Sequence, residues 1–263
     1  PGCPRIYPGE TQELTRTPNL FGENLERKSS GGLYSSPMDW KVFHEQTKIT
    51  KARPPKPDLD SATGTISLPD PPRLNMPVSE AIRARRSIRS YRRDPITLKE
   101  LSALLFYSGG VTGDKQGTPL RAAPSAGARH PTEILVVAYR VEGLEPGIYR
   151  YDWLDHMLWT QAKGNLDKDL GIACLEQEFV GDCACVIVFT SKIQRTLDKY
   201  GQRGFRYAVM DAAAAAENLS LAAVALGYGT VWVGAFDDDA VSGILGLPDD
   251  ELPMLLLPVG RPR

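Results

Sequence analysis

Between Arg206 and Leu226 the chain reads RYAVMDAAAAAENLSLAAVAL, nine alanines in 21 residues, and then meets Gly227. Alanine is the strongest helix former and glycine a common stop, so one long helix is predicted here. Side chains this small on nearly every face suit a central helix that other elements approach closely. They equally suit a helix buried against a second copy of the chain. With 263 residues, 42% hydrophobic and 24% charged, the chain can enclose such a helix in one domain or one domain plus an appendage.

Composition excludes several classes. Four cysteines, Cys3, Cys174, Cys183 and Cys185, are too few for a disulfide scaffold. A formal charge of -1 argues against a surface built for nucleic acid, so any anion site must be local. No uncharged apolar run of about 18 residues predicts a membrane span. The opening PGCPRIYPGE lacks the zones of a signal peptide, which leaves a cytoplasmic location as the expectation.

Eleven of the 21 prolines fall in residues 1–72. Proline removes a backbone donor and restricts the residue before it, so residues 1–74 are expected to form an extended arm with one short helix around Met38–Gln46. Residues 75–263 are expected to form the compact domain. Helices are predicted over Val78–Arg85, Thr97–Ser108 with Thr97 and Glu100 in capping-box spacing, and Asn165–Phe179. TEILVVAY, GIYRYD, HMLWTQ, Cys183–Thr190, GTVWVGAF and MLLLPVG read as strands, DDDAVSGILG as a capped helix, and the glycine-rich and proline-rich stretch before TEILVVAY as a loop. Consecutive strands from Thr132 to Gln161 point to an α+β fold with a mixed or antiparallel sheet. No G-x-G-x-x-G follows a strand, which disfavours a Rossmann domain.

Arg83, Arg85, Arg86, Arg89, Arg92 and Arg93 put six guanidinium groups into eleven residues. With Ser87 they carry donors suited to a phosphate and to the carbonyl edge of a heterocycle; a solvated basic face is the plain alternative. In APSAGARHP, small residues between Pro124 and Pro131 allow backbone donors to approach a flat ligand. His130 reads as a polar contact rather than a base. Cys183 and Cys185 are expected to face opposite sides, and His44, His130 and His156 lack ligand spacing, so no metal is expected. The nucleophile elbow G-x-S-x-G is absent.

Taken in order, RRSIRSY, PSAGARHP, the alanine-rich helix and GYGTVWVGAF resemble the flavin-dependent nitroreductase family. HEQTK, RVEGLEPGIYRYD, KYGQRGFRYAVMDAAAAAENLSLAA and LLPVGRP resemble its SagB-type dehydrogenase branch, which includes azoline oxidases of ribosomal peptide pathways. The resemblance runs from about His44 to Arg261 and implies a nitroreductase-like homodimer whose central sheet is flanked by helices, with FMN bound between subunits. It matches Arg85, Arg86 and Ser87 to positions holding the flavin phosphate and ribityl chain, and Arg89 to the pyrimidine edge. Pro124, Ser125, Ala126 and Gly127 match the loop around the ring. Thr230, Val231, Trp232, Val233 and Gly234 match the segment near N5, and Arg261 a late basic position at the phosphate. Tyr228 departs from the commoner G-L-G-T.

The resemblance implies a ping-pong oxidoreductase, with hydride entering FMN at N5 from NADH or NADPH and leaving to a small organic acceptor. Lys199 and Tyr200 match the pair implicated in azoline oxidases in removing a ring proton, so an azoline dehydrogenase acting on a modified peptide is one alternative. Either residue type acts as a base near neutral pH only when tuned or relayed. A flavin-binding protein without turnover is another alternative.

Overall fold

The structure, a computed structural model, describes residues 39–49, 60–61 and 63–263. Most of the proline-rich segment expected as an arm, Cys3 included, lies outside the described residues. Helix α1 (Trp40–Thr47) begins at Asp39, whose carboxylate accepts from the Lys41 amide. Strands β1 (Asp60–Ser61) and β2 (Thr65–Ser67), helix α2 (Val78–Ala84) and strand β3 (Ile96–Thr97) follow. Helix α3 (Leu98–Gly109) opens on the expected capping box: the Thr97 hydroxyl accepts from the Glu100 amide at 3.2 Å, and Glu100 accepts from the Thr97 amide at 2.8 Å. Caps of this type contribute about 1 kcal/mol.

Strands β4 (Val111–Lys115) and β5 (Thr118–Arg121) lead into β6 (Thr132–Ala138), β7 (Val141–Glu142), β8 (Gly147–Asp152) and β9 (Met157–Lys163). Helices α4 (Asp167–Ala173) and α5 (Phe179–Asp182) precede β10 (Cys185–Lys192), and α6 (Gln194–Tyr200) turns into α7 (Arg203–Ala225). Strand β11 (Gly229–Thr230), helix α8 (Asp238–Leu245) and strand β12 (Glu251–Gly260) complete the chain.

The main sheet has the order β1-β9-β8-β6-β10-β12-β11, with β2 also on β9, and every pairing in it is antiparallel. Helices cover both faces. Ile187 and Phe189 of β10 pack with Leu101, Leu104 and Leu105 of α3 and the alanines of α7; Val186 and Val188 pack with Leu170 of α4 and Val241 of α8. Burial on both sides explains why β10 reads as an unbroken apolar run. Cys183 and Cys185 fall into opposite clusters because Cys183 precedes β10, at the end of α5; two residues apart on one strand they would share a face.

Helix α7 is long and apolar enough to cross a membrane by length and composition alone. Of its buried residues, Ala212, Ala215, Ala216, Leu219, Ala222 and Ala223 instead form one stripe against the sheet and α3. Close approach is real here, since Ser108 of α3 donates to the Ala215 carbonyl at 2.9 Å. The other side of the helix leaves Val209 and Met210 exposed.

Three sequence readings need correction. The loop expected before TEILVVAY contains the β4–β5 hairpin, whose turn places Gln116 and Gly117 both at positive φ, the geometry that matches strand twist in a two-residue turn. The helix expected over Asn165–Phe179 is broken, because Leu175 and Glu176 both take left-handed backbone between α4 and α5. GTVWVGAF is strand only at Gly229–Thr230; Val233 rejoins Leu256 in unchanged register after the ladder lapses at Val231 and Trp232.

One buried polar chain gives a pH expectation. Ser102 donates its proton to the Pro69 carbonyl, so its oxygen accepts from His156 Nε2 at 2.8 Å, and Nδ1 is left to accept from the Tyr151 hydroxyl at 2.8 Å. That set fits a neutral ring, and burial holds the His156 pKa below its ordinary 6.5. The unfolded chain therefore takes up this proton first as pH falls. Stability is expected to decline below about pH 6.5 until the native ring protonates. His156→Gln should flatten the dependence of urea midpoint on pH between about 5 and 7; an unchanged slope would show that the ring does not contribute.

Candidate functional site

The loop after β5 takes an unusual path. Gly127, Ala128 and His130 have φ of 58°, 54° and 46°, so two residues with side chains adopt left-handed backbone within four positions. Asp211 on the buried face of α7 ties the loop down. It accepts from Ser125 Oγ at 2.6 Å and from the Ala126 amide at 3.2 Å, while Ser125 Oγ accepts from the His130 amide at 2.8 Å. Burial pushes the Asp211 carboxyl above its usual range, against the lowering effect of the bonds from Ser125 and Ala126. Burial and the cations Arg121 and Arg195 hold His130 below 6.5, which fits its reading as a polar contact.

Lys199 and Tyr200, at the end of α6, reach this loop. A Cβ on Gly127 would lie 2.6 Å from Lys199 Nζ and closer still to the Tyr200 hydroxyl, so the missing side chain is the space those two termini occupy. Tyr200 is braced edge-on by Tyr207 of α7, with ring centroids 4.9 Å apart, and Tyr207 accepts from Arg203 Nε at 2.9 Å. Pro124, Ser125, Ala126, Gly127, Lys199 and Tyr200 thus form one group.

A second group forms around the arginine segment. Ser87 bridges Thr230 in parallel, and the Ile88 amide donates to the Thr230 carbonyl at 3.0 Å. Gly229 permits this contact, since a Cβ there would meet the Ile88 side chain at 2.8 Å. Thr230 in turn pairs with Val259, and the Arg261 carbonyl accepts from the Arg92 amide at 2.8 Å, so RRSIRSY, GTVWVG and the chain end are joined through backbone. Val231 and Val233 enter the core while Trp232 and Gly234 face out. The Trp232 indole donates to Ser220 of α7 at 3.0 Å. Thr230 Oγ1 is buried without a partner.

The arginines differ in how they are neutralised. Arg92 pairs with Asp94 and Arg93 with Asp182, each at 2.8 Å. Arg85 reaches Glu217 only at 3.9 Å, and Arg261 reaches Glu100 at 3.6 Å while lying over the Tyr228 ring. Arg86 donates to the carbonyls of Arg83 and Arg85. Arg89 lines a surface cleft with Tyr91, Glu176, Gln177 and Arg263. Among the described residues, no three His, Cys, Asp or Glu side chains are placed to hold a metal.

Helix α7 joins the two groups, touching α2, α6, β11 and the loop of Ala126–Ala128. Asp211 serves one group and Glu217 the other; six residues of helix separate them by about 9 Å along the axis and about 120° around it. Sequence reasoning missed both acids. The available signal was two charges in an alanine run that otherwise has no use for them.

Residues 82–261 match the Nitroreductase family model. A protein of Methanocaldococcus jannaschii named as a nitroreductase is 40% identical over 199 residues, covering 76% of this chain and 97% of that one. A solved structure under the same description from Anabaena variabilis is 30% identical with a TM-score of 0.70, and the match covers 89% of this chain and 50% of that one. Its counterpart from Ralstonia eutropha is 29% identical with a TM-score of 0.67, covering 81% and 97%. With the antiparallel sheet, the RRSIRSY–GTVWVG pairing and a family match that takes in both, this chain belongs to the nitroreductase family of oxidoreductases.

Proposed function

We propose that the chain is an FMN-dependent oxidoreductase, acting as a homodimer that draws hydride from NADH or NADPH and delivers it to a small organic acceptor. The observation that carries this reading is the uneven neutralisation of the arginines. Arg92 and Arg93 are paired at 2.8 Å, whereas Arg85 and Arg261 have carboxylates only at 3.9 and 3.6 Å, and no carboxylate lies within 4.0 Å of Arg86 or Arg89 among the described residues. Positive charge is therefore left over along RRSIR and at Arg261, which suits a phosphate dianion. The unpartnered Thr230 hydroxyl beside Ser87 marks the same segment as polar and incompletely satisfied.

Arg85, Ser87 and Arg261 would hold the phosphate and ribityl chain, Arg89 the pyrimidine edge, and Thr230, Val231, Trp232, Val233 and Gly234 would line the ring. FMN, when bound, supplies two-electron chemistry at N5. The protein's task is to orient the ring, to stabilise the charge that grows at its pyrimidine edge, and to leave one face open. The outward Gly234 and the small residues of the Pro124–Gly127 loop suit that opening. Helix α7 supports a shared site: one protomer's loop and arginine segment lie on different sides of the helix, while Val209 and Met210 are exposed. A second copy offering its loop to the first copy's arginines would complete each site.

A second reading, azoline dehydrogenation of a modified peptide by a SagB-type enzyme, is favoured by one specific observation. The Lys199 amino group and Tyr200 hydroxyl end together at Gly127, where either one in its deprotonated form would take a proton from a substrate held by the loop.

Stopped-flow mixing of FMN-loaded protein with NADH and with NADPH tests the main reading. Flavin bleaching at least about tenfold faster than for free FMN is expected with one of them. No acceleration with either would overturn the nicotinamide-linked proposal, and a holoprotein that no acceptor reoxidises would point to flavin binding without turnover.

A further inference from the structure

We propose that Asp211 is a positioning residue: from the buried face of α7 it fixes the left-handed path of residues 125–130 and, through Gly127, the places of the Lys199 ammonium and the Tyr200 hydroxyl. The inference rests on the reading of Lys199 and Tyr200 as groups that meet substrate.

The loop cannot hold its own shape. Ala128 and His130 at φ of 54° and 46° each cost roughly 1 kcal/mol or more, and such backbone persists only where its surroundings over-determine it. Asp211 supplies the restraint at both ends. Its carboxylate accepts from the Ser125 hydroxyl at 2.6 Å and from the Ala126 amide at 3.2 Å, and the Ser125 oxygen so oriented accepts from the His130 amide at 2.8 Å. The carboxylate only accepts and both its oxygens take part, Oδ2 from Ser125 and Ala126 and Oδ1 from Ala126; Asp211→Asn loses the charge that strengthens these bonds and turns an NH2 donor toward one of the donors.

The choice of an acid is costly. Asp211 is 8% exposed, and no cation lies within 4.0 Å of it among the described residues. Burying such a charge opposes folding, and neighbouring positions of α7 pack with alanine alone. What the acid secures is Gly127, the position whose absent side chain leaves room for both Lys199 and Tyr200. Beneath the loop, Arg121, Thr132, His130 and Asp211 enclose only about 10 Å³, the space of one water, and Thr132 Oγ1 there is buried without a partner. The loop therefore rests on a tightly packed floor with polar groups in it rather than on a ligand cavity.

The test uses the FMN-loaded full chain carrying Asp211→Asn or Ser125→Ala. Hydrogen–deuterium exchange reads the loop, and competitive acetylation with acetic anhydride, followed by mass spectrometry, reads Lys199 against Lys41 and Lys192. Asp211→Asn is expected to speed exchange at the Ala126 amide about tenfold or more and to raise Lys199 labelling about threefold, with the reference lysines unchanged. Ser125→Ala should act in the same direction, and the double variant should fall short of the sum because acid and hydroxyl serve one restraint. If Asp211→Asn fails to fold, Ser125→Ala carries the test alone. Unchanged exchange and labelling in a folded variant would overturn the proposal. A loosened loop with faster Lys199 labelling but wild-type turnover would uphold the positioning role and remove Lys199 and Tyr200 from the chemistry.

Discussion

Gly127→Ala is expected to lower turnover of the FMN-loaded enzyme by about tenfold to a hundredfold while costing only about 1 kcal/mol of stability. The two magnitudes have separate causes. The stability cost comes from placing a side chain at a φ of 58°, and the neighbours it meets are the flexible ends of Lys199 and Tyr200, which can swing away. The activity cost comes from that same swing, since a displacement of about 1 Å is enough to spoil a reacting geometry. FMN affinity should fall much less than turnover, by a few-fold, because the loop meets only the ring side of the proposed site while the arginine segment, served by another part of α7, would hold the phosphate. Turnover, thermal melting and FMN titration on one preparation separate the three quantities. Full activity with normal flavin content would show that nothing at Gly127 touches the reaction.

Removing the Arg85 guanidinium should weaken FMN binding by about ten- to a hundredfold, the range lost with one charge-assisted hydrogen bond of about 1.5–3 kcal/mol. Arg85→Ala also strips Glu217 of its cation, 3.9 Å away, and leaves that carboxylate facing the same region. Glu217→Gln provides the opposite sign: it frees Arg85 and should tighten binding a few-fold. Fluorescence titration of apoprotein with FMN at two salt concentrations reads both effects, and the Arg85→Ala loss should shrink at high salt, where screening weakens exposed charge interactions. Equal FMN affinity in wild type and Arg85→Ala would move the phosphate away from RRSIR.

Legibility in the sequence followed the range of the forces involved. Helix α3 was readable because its cap, its apolar stripe and its stop at Gly109-Gly110 lie within 14 residues. Strand β10 was readable because burial on both faces requires a continuous apolar run. The break between α4 and α5 was not, because it depends on two residues with side chains, Leu175 and Glu176, adopting backbone that composition does not foreshadow. The β4–β5 hairpin was marked only by Gln116-Gly117, a weaker turn signal than asparagine or aspartate before glycine. At the candidate site, residue types were visible as motifs, but their grouping was not. Ser87 meets Thr230 across 143 positions, and Asp211 meets Ser125 across 86; contacts so distant in sequence leave no periodicity.

The two-sided cover of β10 has a chemical consequence for a flavin enzyme. Reduced flavin that leaks electrons to dioxygen makes peroxide beside its own protein, and the first casualties are thiolates that solvent can reach. Cys174, Cys183 and Cys185 are buried among apolar side chains, and that burial pushes the thiols of Cys174 and Cys185 up to about 12 and raises Cys183 as well. All three are held as unreactive thiols, so the layers that build the core also shelter its sulfur from the by-product of the proposed chemistry.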